Sequence, residues 1–237
     1  MKYCFDIEMK KYDPQKPILV SHIPKAAGTS VRELFADWYG PNLLLHYRDG
    51  NRPPVYDLTN LPEPEKPVAL YGHFTRSRGF GIEKYYPQID QFIAIFREPL
   101  ERAVSGYFFK TQNEAMRRAF WGTARMSLDQ YVTLGTSRFI RGGPGAILNF
   151  LPKAINENNY KDFIESHFVE VGIAEQLDTS MVRIADKLGF EFDVSQLQHL
   201  NSVKRTHEVS DKAIAKFKEH NELEYKIYDY VRSKFDS

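Results

Sequence analysis

The sequence has a single cysteine, Cys4, in 237 residues. A lone thiol excludes an internal disulfide framework and any cysteine-rich metal site. Net charge is lacking too. The 32 Lys and Arg against 31 Asp and Glu leave +1, so no global field calls for nucleic acid or an anionic membrane. Long hydrophobic runs are also missing. The start, MKYCFDIEMKKYD, holds no apolar stretch of secretory length, and nothing later reaches the ~18–20 apolar residues of a membrane span. These absences lead to the expectation of a cytoplasmic protein whose partners include neither nucleic acid nor membrane. What is present is the make-up of a globular chain, with 14% aromatic residues that argue against disorder. No linker or internal repeat divides the chain. The expectation is therefore one domain over residues 1–237, with 1–16 as an irregular arm or edge strand. Oligomeric state is not readable.

The chain is organised around Pro17–Trp38, PILVSHIPKAAGTSVRELFADW. An apolar run (Ile18, Leu19, Val20, then Ile23) leads through Pro24 and Lys25 into a turn of small residues, Ala26, Ala27 and Gly28. Thr29 and Ser30 follow, and Val31, Leu34, Phe35 and Trp38 repeat at helical spacing. A strand, a tight turn and a helix N-terminus in that order make an anion site. Free backbone N–H groups and the positive end of the helix dipole point at its occupant. Lys25 adds a charge, and Thr29 and Ser30 add hydroxyl donors. The ATP/GTP version of such a loop places Lys directly before Ser or Thr. Here Lys25 opens the turn and Gly28 is its single glycine. An ordinary βα turn that holds a lysine is the plainer alternative.

Further strands are expected at Leu43–His46, Val68–Tyr71, Phe92–Phe96 and Glu170–Glu175. Arg48 to Pro67, rich in Pro, Asn, Asp and Glu, reads as a surface loop. Phe92–Phe96 runs into Arg97-Glu98-Pro99, where Pro99 suits the first turn of a helix. Leu100, Ala103, Val104, Tyr107 and Phe108 give that helix an apolar face. Arg97 at the strand end and Ser105 two turns along could meet one ligand at the carboxyl edge of the sheet. Residues 110–141 carry six cations, either a wall for an anionic acceptor or a solvated helical surface. Ser127 to Gln130 is a capping box, Gly142 to Gly145 a hinge or loop. Helices are expected around Tyr160–Ile164, from Leu177 to a stop at Gly189, after the cap Ser210, and over Ile227–Phe235. Lys204 and Arg205 sit in a polar basic loop.

His-Ile-Pro-Lys-x-x-Gly-Thr-Ser resembles the 5′-phosphosulfate loop of the sulfotransferases that use 3′-phosphoadenosine 5′-phosphosulfate (PAPS), in particular the carbohydrate-type enzymes of heparan and chondroitin. Arg97 to Ser105 resembles the family's 3′-phosphate motif, F-R-[DE]-P-x-x-R-x-x-S, and residues 170–175 its V-G-[LI]-x-E strand. The resemblance spans about residues 17–235. It implies an α/β three-layer sandwich with a central parallel sheet, a P-loop NTPase-like sulfotransferase fold. It also implies sulfuryl transfer from PAPS to a hydroxyl, with PAP as product, no metal, and a carbohydrate as the expected acceptor. The donor would be held by Lys25, Ala26, Ala27, Gly28, Thr29, Ser30, Arg97 and Ser105, with Lys204 and Arg205 in a closing loop.

Lys25 would meet the leaving oxygen. His73, just past the third strand, would take the acceptor's proton, with Glu33 and Glu83 as runners-up and His22 as a buried strand residue bracing the loop. Two departures stand out, Ala26-Ala27 for the commoner Thr-Gly and Glu98 for Asp. Golgi members carry a membrane anchor, so a bacterial origin is expected, with a luminal catalytic fragment as the competing explanation. A nucleotide kinase would need a Mg²⁺ carboxylate and a Lys-Ser/Thr pair that the motif lacks. A non-catalytic nucleotide- or glycan-binding relative remains the other alternative.

Overall fold

The computed structural model describes residues 9–48, 52–134, 146–197 and 207–235. Among them five strands form one sheet: β1 (Ile18–Ser21), β2 (Leu43–His46), β3 (Ala69–Gly72), β4 (Phe92–Phe96) and β5 (Phe168–Ile173). Their order is β2-β3-β1-β4-β5 and every neighbouring pair is parallel. Every residue of β1, β3, β4 and β5 is buried. Successive side chains of a strand point to opposite faces, so both faces of the sheet are covered. That is the expected α/β architecture, a parallel sheet between helices.

The helices follow in chain order. They are α1 (Gly28–Tyr39), the single turn α2 (Ile82–Tyr85), α3 (Pro99–Gln112), α4 (Glu114–Ala119), α5 (Trp121–Ala124) and α6 (Leu128–Leu134). Then come α7 (Ala146–Phe150), α8 (Tyr160–His167), α9 (Leu177–Leu188), α10 (Asp211–His220) and α11 (Glu222–Ser233). The main core joins the strands to Val31, Leu34 and Phe35 of α1, Met181 and Ile184 of α9, and Ile227, Tyr228 and Val231 of α11. A second cluster under α3 holds Ala103, Val104 and Phe108 against α6 and α10.

Local chemistry sets most boundaries where the sequence puts them. Ser127 and Gln130 exchange the two bonds of a capping box ahead of α6 (2.9 and 3.2 Å), and Gly189 stops α9 at φ 76°. Ser210 Oγ accepts the Ala213 N–H at the start of α10. Other boundaries differ from expectation, β3 running Ala69–Gly72 rather than Val68–Tyr71. β5 runs Phe168–Ile173 rather than Glu170–Glu175, and Glu175 turns off the sheet to the Glu98 N–H ahead of α3 and to Tyr228 on α11. Residues 110–126, for which a helical surface was one of two readings, are helical, the end of α3 continuing into α4 and α5. Glu83, expected in a loop, lies on α2.

The described part of the N-terminal arm is irregular but tied down. Lys10 N–H bonds to Phe168 O (3.1 Å), its ammonium pairs with Asp90 (2.9 Å), and the Gln91 amide meets the carbonyls of Asp13 and Lys16. β1 is the pivot of the sheet. The chain builds β2 and β3 on one side of it, then crosses to β4 and β5 on the other. Such a reversal opens a crevice at the carboxyl ends of the strands, where ligands of α/β proteins sit.

Candidate active site

A cavity of about 700 Å³ lies at that crevice. It is lined by residues following four of the five strands: His22, Pro24, Lys25 and Ala27 to Ser30 after β1, His73 after β3, Arg97 with Glu101, Ser105 and Phe109 after β4, and Ala174, Glu175 and Leu177 after β5. The turn after β1 is tightly wound. Lys25 (φ 71°) and Ala27 (φ 57°) both adopt the left-handed conformation, which disfavours side chains by about 1–2 kcal/mol per residue. Ala27 is the residue before α1 and offers no side-chain cap, and no acidic residue stands in the first turn. The positive end of α1 is therefore presented to the cavity without a built-in counter-charge.

Gly28 is required for space rather than for an unusual backbone angle. A Cβ there would lie 1.8 Å from His22 Nε2. The His22 ring is in turn boxed by Tyr47, whose hydroxyl meets Nδ1 at 2.7 Å, and by the His73 ring at 4.4 Å between centroids.

Arg97, one residue past β4, ties the two motifs together. Its Nη1 donates to the Lys25 carbonyl (3.0 Å), while Nη2 stands 3.7 Å from Glu101 and Nε 4.0 Å from Glu175. Glu175 is itself anchored by the Glu98 N–H (3.0 Å) and the Tyr228 hydroxyl (3.0 Å). Glu98 caps α3 by accepting the Glu101 N–H (2.6 Å) and takes a second bond from Tyr225 (2.6 Å). The longer side chain at the Asp position of the motif thus still caps the helix, and it reaches α11 as well. Lys25 Nζ lies 4.3 Å from the centroid of the Phe109 ring. Burial and the nearby Arg97 charge both lower its pKa. An anion in the cavity would reverse that shift.

His73 donates its Nδ1–H to the His22 carbonyl (2.8 Å). A carbonyl only accepts, so the proton sits on Nδ1 and Nε2 keeps its lone pair. Burial lowers the His73 pKa, partly offset by that hydrogen bond, and Arg78 lowers it further. The His22 pKa is held well below its ordinary value, chiefly by burial and then by His73, Arg32 and Lys25. The site therefore combines cationic and backbone donors with a neutral imidazole. That set can hold an anion and accept a proton beside it.

The profile of the Sulfotransferase family matches residues 10–231. The chain belongs to the sulfotransferase family. No curated protein matches it in sequence. Among solved structures, mouse sulfotransferase SULT7A1 complexed with PAP is 13% identical, aligns over 78% of this chain and 62% of its own, and has a TM-score of 0.48. This chain thus spans less than two thirds of that relative's length.

Within this family member, Lys25, Ala27, Gly28, Thr29, Ser30, His73, Arg97 and Ser105 come together on one cavity. Ala26 does not line it. Its side chain is in the core, and its N–H is turned to Ile23 O (3.3 Å) within the loop. Glu33 is on the exposed face of α1, and Glu83 is exposed and paired with Arg76 (3.3 Å), both away from the cavity. The carboxylates that do line it are Glu101 and Glu175. His22 is a cavity residue one position beyond β1 rather than a buried strand residue. Lys204, Arg205 and the Gly142–Gly145 turn lie outside the described residues.

Glu101 and Phe109 were overlooked, although a signal for them existed. Glu101, Ser105 and Phe109 stand four residues apart along α3, on the stripe that starts from Arg97. Glu175 is the Glu of the V-G-[LI]-x-E stretch, which was read only as a strand, and Tyr47 stands in no motif. Among the described residues no group of three or more His, Cys, Asp or Glu could hold a metal ion, and no helix is long and apolar enough to cross a membrane.

Proposed function

We propose that this cavity binds PAPS and transfers its sulfuryl group to a hydroxyl of an acceptor, a carbohydrate being the acceptor class the motifs favour. One observation carries the reading. The Lys25 loop, the open N-terminus of α1, the Arg97–Ser105 stripe and His73 share one wall-to-wall cavity. In the transfer the acceptor oxygen forms a bond to sulfur while the bond from sulfur to the bridging phosphate oxygen breaks. The acceptor's proton goes to His73 Nε2. The electron pair of the broken bond stays on the phosphate, where the Lys25 ammonium and the N–H groups of residues 27–30 stabilise the growing charge. Arg97 and Ser105 serve the 3′-phosphate. PAP leaves, together with the sulfated acceptor.

A nucleotide kinase is the competing enzyme reading, and a binding protein without turnover the non-catalytic one. Titration calorimetry with PAP against ATP–Mg²⁺ separates the first, with PAP expected to bind and ATP–Mg²⁺ to bind far more weakly. Transfer of labelled sulfate from PAPS across a panel of hydroxylated acceptors separates the second. Tight ATP–Mg²⁺ binding without PAP binding would overturn the proposal.

A further inference from the structure

Lys25 is unusual among the charged residues of the cavity in how it is held. Among the described residues its ammonium makes no hydrogen bond or ion pair. Its contact is the face of Phe109, 4.3 Å from the ring centroid. Phe109 is 37% exposed, whereas its neighbour Phe108 is buried in the cluster beneath α3. The core therefore does not need the Phe109 ring. Ring and ammonium are presented to the same cavity. A carboxylate in the place of Phe109 would hold the lysine more firmly, but it would cancel the charge and occupy its N–H groups. An aromatic face attracts a cation through its quadrupole and leaves both the charge and the donors available. Arg97 completes the arrangement by bonding the Lys25 carbonyl while its own charge repels the ammonium.

We infer that Phe109 is a positioning residue for Lys25, whose ring holds the uncompensated ammonium where the leaving phosphate oxygen develops its charge. The role of that charge rests on the sulfuryl-transfer reading above; the Lys25–Phe109 contact does not. The experiment therefore has one readout for each. Phe109 is replaced by Leu, by Trp and by phenylalanines carrying one to three ring fluorines, which keep the shape and weaken the negative face. Without substrate, acetic anhydride labelling of Lys25 is followed by mass spectrometry. With PAPS and an acceptor found by the panel, kcat and KM are measured.

Labelling is expected to rise with each fluorine and to be fastest in Phe109→Leu, because the contact both shields the amine and favours its protonated form. Turnover is expected to fall along the same series, by ~2- to 30-fold in Phe109→Leu, with Phe109→Trp restoring it and KM for PAPS within a few-fold. The melting temperature should stay constant, since the side chain is outside the core. Labelling that ignores ring fluorination overturns the proposal whether or not the protein transfers sulfate. A loss confined to the acceptor's KM overturns it as well, and makes Phe109 a wall of the acceptor pocket. Labelling that tracks the ring, in a protein that transfers no sulfate, keeps the contact and removes the transfer reading instead.

Discussion

Gly28→Ala tests whether the phosphate loop and the histidine pair form one packed unit. The added Cβ would fall 1.8 Å from His22 Nε2, 2.0 Å from Cδ2 and 2.5 Å from Cε1, so the imidazole must move. It has little room. Tyr47 holds Nδ1 at 2.7 Å, the His73 ring lies at 4.4 Å, and Tyr71 closes a third side at 5.6 Å between centroids. Overpacking of this kind costs about 1–3 kcal/mol. In a His22→Ala background the space is already open. There Gly28→Ala should be neutral or stabilising by up to ~1 kcal/mol, because alanine is the better helix former and Gly28 opens α1.

The cycle therefore carries a coupling of about 1–4 kcal/mol, the difference between the two effects. Denaturant unfolding of the four proteins measures it. In thermal melts it corresponds to about 2–4 °C per kcal/mol for a chain of this size. Equal costs of Gly28→Ala in both backgrounds would refute the packing argument.

Arg97→Ala should weaken PAP more than Ser105→Ala does, since charged hydrogen bonds are worth ~1.5–3 kcal/mol and neutral ones ~0.5–1.5. It also leaves Glu101 and Glu175 facing the phosphate without their cation. Calorimetry with adenosine 5′-phosphosulfate, which lacks the 3′-phosphate, should show much smaller losses; equal losses would remove the 3′ assignment. Lys25→Ala should lower kcat by more than it raises the KM for PAPS, because its partner's charge grows in the transition state. A change in KM alone would make Lys25 an anchor.

His73→Ala should lose roughly 10²–10⁴ in kcat with PAP affinity within a few-fold. The acidic limb of the wild-type pH–rate profile should fall below ~6.5, the unperturbed value, as burial lowers the His73 pKa. His46 is buried against the Phe74 ring, and burial takes its pKa to about 4. Its folded pKa lies below the unfolded value, so the unfolded chain takes up the proton first. Stability is present above ~pH 6.5 and is lost as pH falls toward 4, by about 3 kcal/mol for this residue. Unfolding of wild type and His46→Leu across that range should differ by this amount; a pH-independent difference would sink the assignment.

Local pattern was enough for much of this molecule. Apolar runs bounded by turn residues placed β2 and β4 to the residue. The β4 run is buried on both faces, whereas β2 at the sheet edge leaves Leu45 exposed, yet in both the apolar run alone marks the strand. The two donor motifs were equally local, because a strand, a turn and a helix start create an anion site by backbone geometry alone. Capping at Ser127 and Ser210 and the stop at Gly189 were decided within four residues.

What only the tertiary structure decided involves which groups meet. Glu170 reads as the first residue of a strand. It is buried there because Arg183, thirteen residues on, supplies its counter-charge at 3.3 Å. Arg97 reads as a free phosphate ligand, yet the fold sets it against the Lys25 carbonyl and between two carboxylates. The base candidates were ranked by sequence neighbourhood, and the fold put Glu33 and Glu83 outside the cavity and Glu101 and Glu175 in it. Gly28 reads as the single glycine of a turn. The fold makes it a gap filled by His22, six residues earlier. In each case the deciding term is a contact or a charge between groups whose spacing in the chain does not by itself say that they meet.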